Sequence, residues 1–299
     1  MVFDCIIIGG GFAGLQAAIQ LGRYNHHILV LDSNDGRSTL CNSYHNILGY
    51  PEGVSGKTLR DIGRRQAESF GVQFKNEKAE TVRKLEAHFL ITTEKGQLYK
   101  GKRLLIATGI KDRIPSLDYL KPCLGKSIYV CPDCDGYEVK GKRTIVIGSG
   151  NVGAHMALTL TYWTRELIYI NHEQEPVDEE IAGQLNNYGI TYICSAIREV
   201  LARGDQLEGY RLTTGEIIQG AHSFIAFGGN EVRSDIASQL GVERLENKHI
   251  VVNPRTNQTS IPYVWAAGDV VAHTQQVTVA LGDGSLAAIW IHKSLLASK

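Results

Sequence analysis

The chain has 299 residues, more than the roughly 100–200 of an ordinary single domain, so two domains with well-formed cores are expected. Lysine plus arginine (31) equals aspartate plus glutamate (31), and no basic run is long enough to track a phosphate backbone, which argues against a nucleic-acid partner. No apolar stretch approaches the ~20 residues that span a bilayer. Met1-Val2-Phe3-Asp4 also lacks the basic region and cleavage site of a signal peptide, so a cytoplasmic protein away from membranes is expected.

Phe3 to Ile8 is a continuous apolar run, as a fully buried parallel strand requires, and it stops at Gly9-Gly10-Gly11. Leu15, Ala18 and Ile19 then recur at helical spacing, and Ile28 to Leu31 forms a second apolar run closing on Asp32, so the first segment reads as a βαβ unit. Ser55 is a candidate N-cap for a helix through Phe70, with Gly71 placed to end it. Alternating segments from about Ala79 to Tyr99 predict a β-meander, followed by the buried run Leu104-Leu105-Ile106-Ala107 and Thr108-Gly109.

The same order recurs from Thr144. A buried strand to Ile147 meets the turn Gly148-Ser149-Gly150-Asn151-Val152-Gly153, Ala154 to Leu160 has helical period, and Glu166 to Ile170 is the next strand. A meander near 197–218 and the run Ser223 to Phe227 follow, so two nucleotide-binding units stand in tandem. Pro262 to Asp269 is a further strand ending in Gly268 and Asp269, with a small-residue helix from about Val277. Having no glycine turn of its own, this last piece is expected to complete the first domain. The second domain would then be an insertion between linkers near Lys111–Leu117 and Asn230–Ser234.

Gly9, Gly11 and Gly14, with Phe12 and Ala13 between them, supply a GxGxxG turn between strand and helix, and Asp32, with Ser33 beside it, follows ~20 residues on. Glycine allows the tight turn and close backbone approach, helix N–H groups take the pyrophosphate, and the acid accepts ribose hydroxyls. Gly148, Gly150, Asn151, Val152 and Gly153 form the second such turn. Tyr162 and Trp163, near it, can either stack on a bound ring or pack between helices.

Of six cysteines only Cys131 and Cys134 are closely spaced, in Cys131-Pro132-Asp133-Cys134-Asp135-Gly136. In a reducing compartment such a pair is catalytic or metal-binding before it is structural. A zinc site needs two more ligands at suitable spacing, and Cys123, Cys194 and the scattered histidines offer no second pair, so no metal is expected. A dithiol with two intervening residues closes a small disulfide and exchanges with a partner. Cys5 and Cys194, in apolar runs, are expected to be small core residues, whereas Cys41 has no clear assignment.

Taken together, these motifs resemble the two-dinucleotide flavoprotein reductases over nearly the whole chain, and the thioredoxin reductases in particular. Thr108-Gly109 is similar to their ATG motif, and Ala267-Gly268-Asp269 to their second FAD motif, in which the acid, here Asp269, would hold the ribityl chain. His45-Asn46-Ile47-Leu48-Gly49-Tyr50-Pro51 resembles the segment that brings an asparagine, here Asn46, near the flavin, and Gln276-Val277 matches part of an Arg-Gln pair ahead of the last helix. The resemblance implies an α/β fold of two Rossmann-like domains, an FAD domain (1–112 and 233–299) with an NAD(P)H-like dithiol domain (113–232) inserted into it. It implies further that Cys134 faces the flavin, Cys131 attacks the partner disulfide, Asp135 protonates the departing thiolate, and the chain is a homodimer.

Three departures stand out. Where an NADPH-dependent member carries cations for the 2′-phosphate, this chain reads Asn171-His172-Glu173-Gln174-Glu175-Pro176 and then Asp178-Glu179-Glu180. Acids there repel a 2′-phosphate carrying nearly two negative charges, so NADH or a second FAD is the expected ligand, and the pattern is similar to the diflavin-linked, pyridine-nucleotide-independent branch. Asp35-Gly36-Arg37 replaces a Gly-Gly stretch, and Gln275 replaces the arginine of the Arg-Gln pair. The expected function is electron transfer between FAD and the Cys131/Cys134 disulfide and on to a thioredoxin-like protein or small disulfide, with the electron donor open. The alternatives are an oxygen-dependent dithiol oxidase, a conventional NAD(P)H-dependent thioredoxin reductase, and a redox-sensing flavoprotein without turnover.

Overall fold

Four short apolar runs build the centre of the first sheet, because a parallel strand covered on both faces excludes water from both sets of side chains. In the computed structural model, which describes residues 1–297, β1 (Val2–Ile8) leads through α1 (Phe12–Arg23) to β2 (Ile28–Leu31). α2 (Gly56–Glu68) precedes β3 (Gln73–Lys75), and β4 (Ala79–Lys84), β5 (Phe89–Thr93) and β6 (Leu98–Ile106) form the meander. The strand order is β3-β2-β1-β6-β5-β4, parallel from β3 to β6 and antiparallel beyond. The strand Val264–Ala266 adds parallel to β6, with Val264 opposite Leu104, so the C-terminal piece joins the first sheet. The helix Val277–Leu296 packs against α1.

The second sheet has five parallel strands in the order Thr191–Cys194, Leu167–Asn171, Thr144–Gly148, His222–Ala226, Ile128–Tyr129. A three-stranded antiparallel meander (Ile197–Arg203, Gln206–Leu212, Ile217–Gln219) accompanies it. Two Rossmann-like α/β sheets are therefore present. One compact unit comprises Met1–Thr39, Lys57–Lys111 and the chain from Glu231 on; the other comprises Leu40–Gly56 and Asp112–Asn230. The segment Leu40–Gly56, assigned with the first domain by sequence, packs with the second unit: Asn42 donates through Nδ2 to the carbonyls of Lys121, Pro122 and Leu124.

One cysteine expectation fails. Cys5 is fully buried, but Cys194 is exposed, because its strand lies at the edge of the five-stranded sheet and most of that strand is open to water. No described helix is long and apolar enough to cross a membrane.

α1 lies so close to its neighbours that glycine is required. A Cβ on Gly284 would sit 2.2 Å from the Ala13 carbonyl oxygen, whereas one on Gly183, in the helix Glu179–Asn187, would meet nothing within 4 Å. Gly284→Ala should therefore destabilise the protein by about 1–3 kcal/mol or more through overpacking. Gly183→Ala should be neutral or stabilising by up to ~1 kcal/mol. Thermal unfolding of both variants checks the pair, and equal melting shifts would refute the packing argument.

Candidate active site

The first glycine turn is a backbone cradle. Gly9 adopts φ +107°, and a Cβ there would lie 2.2 Å from the Ala107 oxygen at the end of β6. A Cβ on Gly14 would lie 1.9 Å from the Gly9 oxygen, and one on Gly10 would lie 2.6 Å from the Asp32 carboxylate. At Gly11, by contrast, the nearest atom is Ser38 Oγ at 3.8 Å, and Gly11 is the N-cap of α1 with no side-chain capping bond. A helix N-terminus approached by bare backbone, with a carboxylate beside it, fits the pyrophosphate and ribose of a dinucleotide.

Asp32 Oδ2 accepts a 2.8 Å bond from Arg60 Nη2, and Arg60 also donates to Ser38 Oγ and Asn34 Oδ1. A cavity of about 340 Å³ opens here, lined among others by Gly10, Asp32, Asn34, Thr39 and Arg60. Ser33 turns to a different partner, donating to Asp35 Oδ1 at 2.5 Å. Asp35 is clamped bidentately by Arg233 (2.6 and 2.8 Å), which together with the Ser33 bond holds its carboxyl well below the usual range despite partial burial.

Gly268 (φ +78°) packs against Ala13, and its N–H donates to Asp283 Oδ2, which also pairs with His273 Nε2 at 2.6 Å. Asp269 Oδ2 accepts from Arg37 Nη1 at 2.8 Å, and the same nitrogen reaches Gln275 Oε1 at 2.9 Å. The cation that Gln275 lacks thus arrives from Arg37, 238 residues earlier in the chain. Gln276 caps the helix that starts at Val277, again without a side-chain bond. Thr108 Oγ1 donates to the Arg233 carbonyl, and the Gly109 carbonyl accepts the Arg233 N–H, so both are tied to the returning chain.

The second glycine turn has the same tight contacts. A Cβ on Gly148 would lie 2.3 Å from the Ala226 oxygen, and one on Gly153 2.4 Å from the Tyr169 ring. Its N–H groups are more engaged. Gly150 N–H donates to Asn171 Oδ1 at 3.0 Å; Asn171 is fully buried and also bonds the Glu175 carbonyl and the Tyr192 hydroxyl. Asn151 exchanges two bonds with Asp178, and Val152 is exposed. Arg113 pairs with Glu173 just beyond the strand end, so this cation is already matched to an acid. Trp163 packs against Gly136, where a Cβ would lie 2.6 Å from its ring, while Tyr162 is 85% exposed. Trp163 therefore supports the dithiol segment.

Cys131 is the N-cap of the short helix Pro132–Asp135, whose proline at the first position needs no N–H partner. Cys134 and Asp135 both donate their N–H to the Cys131 carbonyl, at 3.2 and 3.0 Å. A side-chain hydrogen bond from Cys134 lowers the Cys131 thiol below its ordinary value against the opposing effect of burial. Asp135 is only 8% exposed, and burial, reinforced by the Glu138 charge, pushes its carboxyl up to about 7. In the segment Leu40–Gly56, Cys41 donates to the Ser43 carbonyl and is held protonated, its thiol pushed up to about 12 by burial and by Asp135. His45 lies between Ser43 Oγ (3.0 Å) and Glu138 Oε1 (3.8 Å), and Asn46 is exposed.

Cys131, Cys134 and Asp135 are thus brought together, as are Gly9, Gly11, Gly14 and Asp32. Sequence reading missed Arg37 as a partner of Asp269, Arg60, Asp283, His45 and Glu138. Only Glu138, three residues after Asp135, had a local spacing that could have pointed to it. Among the described residues no group of three or more His, Cys, Asp or Glu side chains could hold a metal ion.

The profile of the pyridine nucleotide-disulphide oxidoreductase family matches residues 3–284. A thioredoxin reductase of Treponema pallidum (strain Nichols) is 29% identical over 96% of this chain and 95% of its own length. A bifunctional thioredoxin reductase/thioredoxin of Mycobacterium leprae (strain TN) is 30% identical over 96% of this chain, which spans 65% of that longer protein. The solved thioredoxin reductase of Giardia duodenalis superposes with a TM-score of 0.81 at 25% identity, covering 99% of both chains. The chain belongs to the pyridine nucleotide-disulphide oxidoreductase family and is an FAD-dependent thiol–disulfide oxidoreductase of the thioredoxin reductase type.

Proposed function

We propose that this enzyme moves electron pairs between FAD in the first unit and the Cys131–Cys134 pair, and on to a thioredoxin-like protein or a small disulfide, without NADPH as donor. The observation that carries the reading is a buried acid, Asp135, directly following a cysteine pair in which Cys131 is stabilised as thiolate by Cys134. FAD, when bound, supplies the two-electron carrier. Gly9, Gly11, Phe12, Ala13, Gly14, Asp32 and Asp269 would hold it, and Arg37 and Arg60 orient the two carboxylates. Cys131 thiolate attacks the partner disulfide and Asp135 gives its proton to the departing thiolate. Cys134 then gives its proton to the Asp135 carboxylate and attacks Cys131 in the mixed disulfide, releasing the second thiolate, which takes a proton from water, and closing the Cys131–Cys134 bond.

The residues from Asn171 to Glu180 disfavour NADPH. Asn171 occupies the end of the strand, Glu173 is matched to Arg113, and Glu175, Asp178, Glu179 and Glu180 add only negative charge, which opposes a 2′-phosphate. A dinucleotide without that phosphate, NADH or a second FAD, suits the second turn better. A homodimer is the assembly that the resemblance suggests, and sedimentation tests it.

Two outcomes are expected. Asp135 must be protonated to act as acid and titrates at about 7, so disulfide reduction should fall as pH rises through about 7. Asp135→Asn should remove that limb and slow reduction by about 10²-fold or more; a pH–rate profile unchanged in Asp135→Asn would overturn the assignment. NADPH should reduce the bound flavin slowly in an anaerobic stopped-flow titration, and extraction should count one or two flavins per chain. Rapid, saturable reduction by micromolar NADPH would instead favour a conventional reductase.

A further inference from the structure

We propose that His273 and Asp283 form a protonation-dependent latch on the Gly268–Asp269 turn, so that FAD is held tightly while His273 is an imidazolium and less tightly once it loses its proton. The inference rests on the reading that Asp269 and the first glycine turn hold FAD. The latch is a closed ring within the first unit. Gly268 donates its N–H to Asp283 Oδ2 at 2.9 Å, and the same oxygen lies 2.6 Å from His273 Nε2. Between Gly268 and His273 the chain is folded on itself: the Val271 N–H donates to the Gly268 carbonyl and the His273 N–H to the Val271 carbonyl, both at 2.9 Å. Asp269 belongs to this ring, directly after the glycine whose φ of +78° sets the turn.

The ring is fastened to the first glycine turn. A Cβ on Gly268 would lie 2.9 Å from the Ala13 Cβ, and one on Gly284, next to Asp283, would lie 2.2 Å from the Ala13 carbonyl oxygen, so both ends of the latch bear on the first turn of α1. Asn257, buried and at φ +56°, donates to the Asp283 carbonyl at 3.3 Å and steadies the same part of the last helix. Arg37 ties Asp269 to Gln275, two residues beyond His273. Opening the ring at His273 therefore loosens the turn that carries Asp269 where it meets α1.

The partners of the imidazole decide its charge. Nδ1 lies 2.9 Å from the Thr274 carbonyl oxygen and Nε2 faces the Asp283 carboxylate. Both oxygens accept only, so both ring nitrogens must donate, which imidazolium does and neutral imidazole cannot. Although burial opposes it, the bonds from His273 and Gly268 hold the Asp283 carboxyl below its ordinary value, and the bond to Asp283 raises the His273 imidazole above its own. Among the charged groups around it, Asp283 on the last helix and Asp269 in the turn favour the cation. Arg37 is bonded to Asp269, and burial pushes the imidazole of His249, from the chain before the strand Val264–Ala266, below its ordinary value, so His249 is neutral where His273 titrates. A raised imidazole gives its stabilisation in full below its unperturbed value and loses it as pH rises through the raised one. Neutral His273 turns a lone pair toward one of its two oxygens, and the turn loses order that FAD binding must then restore.

The test follows release of FAD from the FAD-loaded protein by flavin fluorescence on dilution, from about pH 6.5 to about pH 9, where a raised imidazole titrates. Wild-type protein should hold FAD most tightly at the acid end and lose about 10-fold in affinity toward the alkaline end, the effect of one charge-assisted hydrogen bond. His273→Gln should be level across the range, near the alkaline affinity of the wild type. Asp283→Asn should move the fall to lower pH, because the carboxylate that holds the imidazolium is gone. A merely structural role would weaken binding equally at every pH. A wild-type affinity independent of pH, a fall that persists in His273→Gln, or one that does not move in Asp283→Asn would overturn the latch; should His273→Gln fail to fold, the other two profiles decide. Asp269→Ala separates the two readings. If it leaves FAD affinity unchanged, the placement of FAD at this turn fails first, whereas weakened binding in Asp269→Ala beside a level wild-type profile removes the latch alone.

Discussion

Backbone meeting backbone around α1 is the constraint on which the first unit depends. The helix enters through Gly9 and Gly14, whose missing Cβ atoms let the turn touch β6 and the helix touch its own entry turn, and Gly284 lets the last helix reach Ala13. That contact gives the first turn of α1 its shape and brings Gly268, and with it Asp269, alongside Ala13. A cradle made of main chain leaves its N–H groups for a phosphate and its carboxylates for hydroxyls, which is why the same contacts that close the core also leave a shape that fits a dinucleotide.

Charge is arranged around this cradle in matched pairs rather than in patches. Arg60 on Asp32, Arg37 on Asp269 and Arg233 on Asp35 each join residues 28 to 232 positions apart. Hydrogen-bonded, partly buried pairs of this kind fix the direction of a carboxylate more than they add stability. The second turn follows a different pattern: Asn171 and Asp178 satisfy polar groups at the start of the helix Gly150–Leu160, and Arg113 is matched to Glu173. Its cradle is therefore less open to a phosphate than the first.

At the dithiol, burial sets the chemistry. Trp163 against Gly136 fixes the segment, and the dry surroundings raise Asp135 toward neutrality while the Cys134 thiol stabilises Cys131 as thiolate. A carboxyl and a thiol whose ordinary values lie far apart are thereby brought closer together, the same logic that sets paired acid and base groups in other active sites.

From the sequence alone came the features carried by short-range pattern. The buried strands, both glycine turns, Asp32, the Cys131–Cys134 pair and the late strand with Gly268 and Asp269 are legible because strand period, turn chemistry and cysteine spacing act over a few residues. Cys194 was misjudged because an apolar run does not reveal whether its strand is central or at an edge. What only the tertiary structure decided is which distant side chains meet: Arg37 at Asp269, Arg60 at Asp32, Arg113 at Glu173, and His45 at Glu138. The reason is physical. Pairing between residues far apart in the chain, and the burial that shifts a pKa, depend on how sheets and loops close in space, and no local periodicity encodes that.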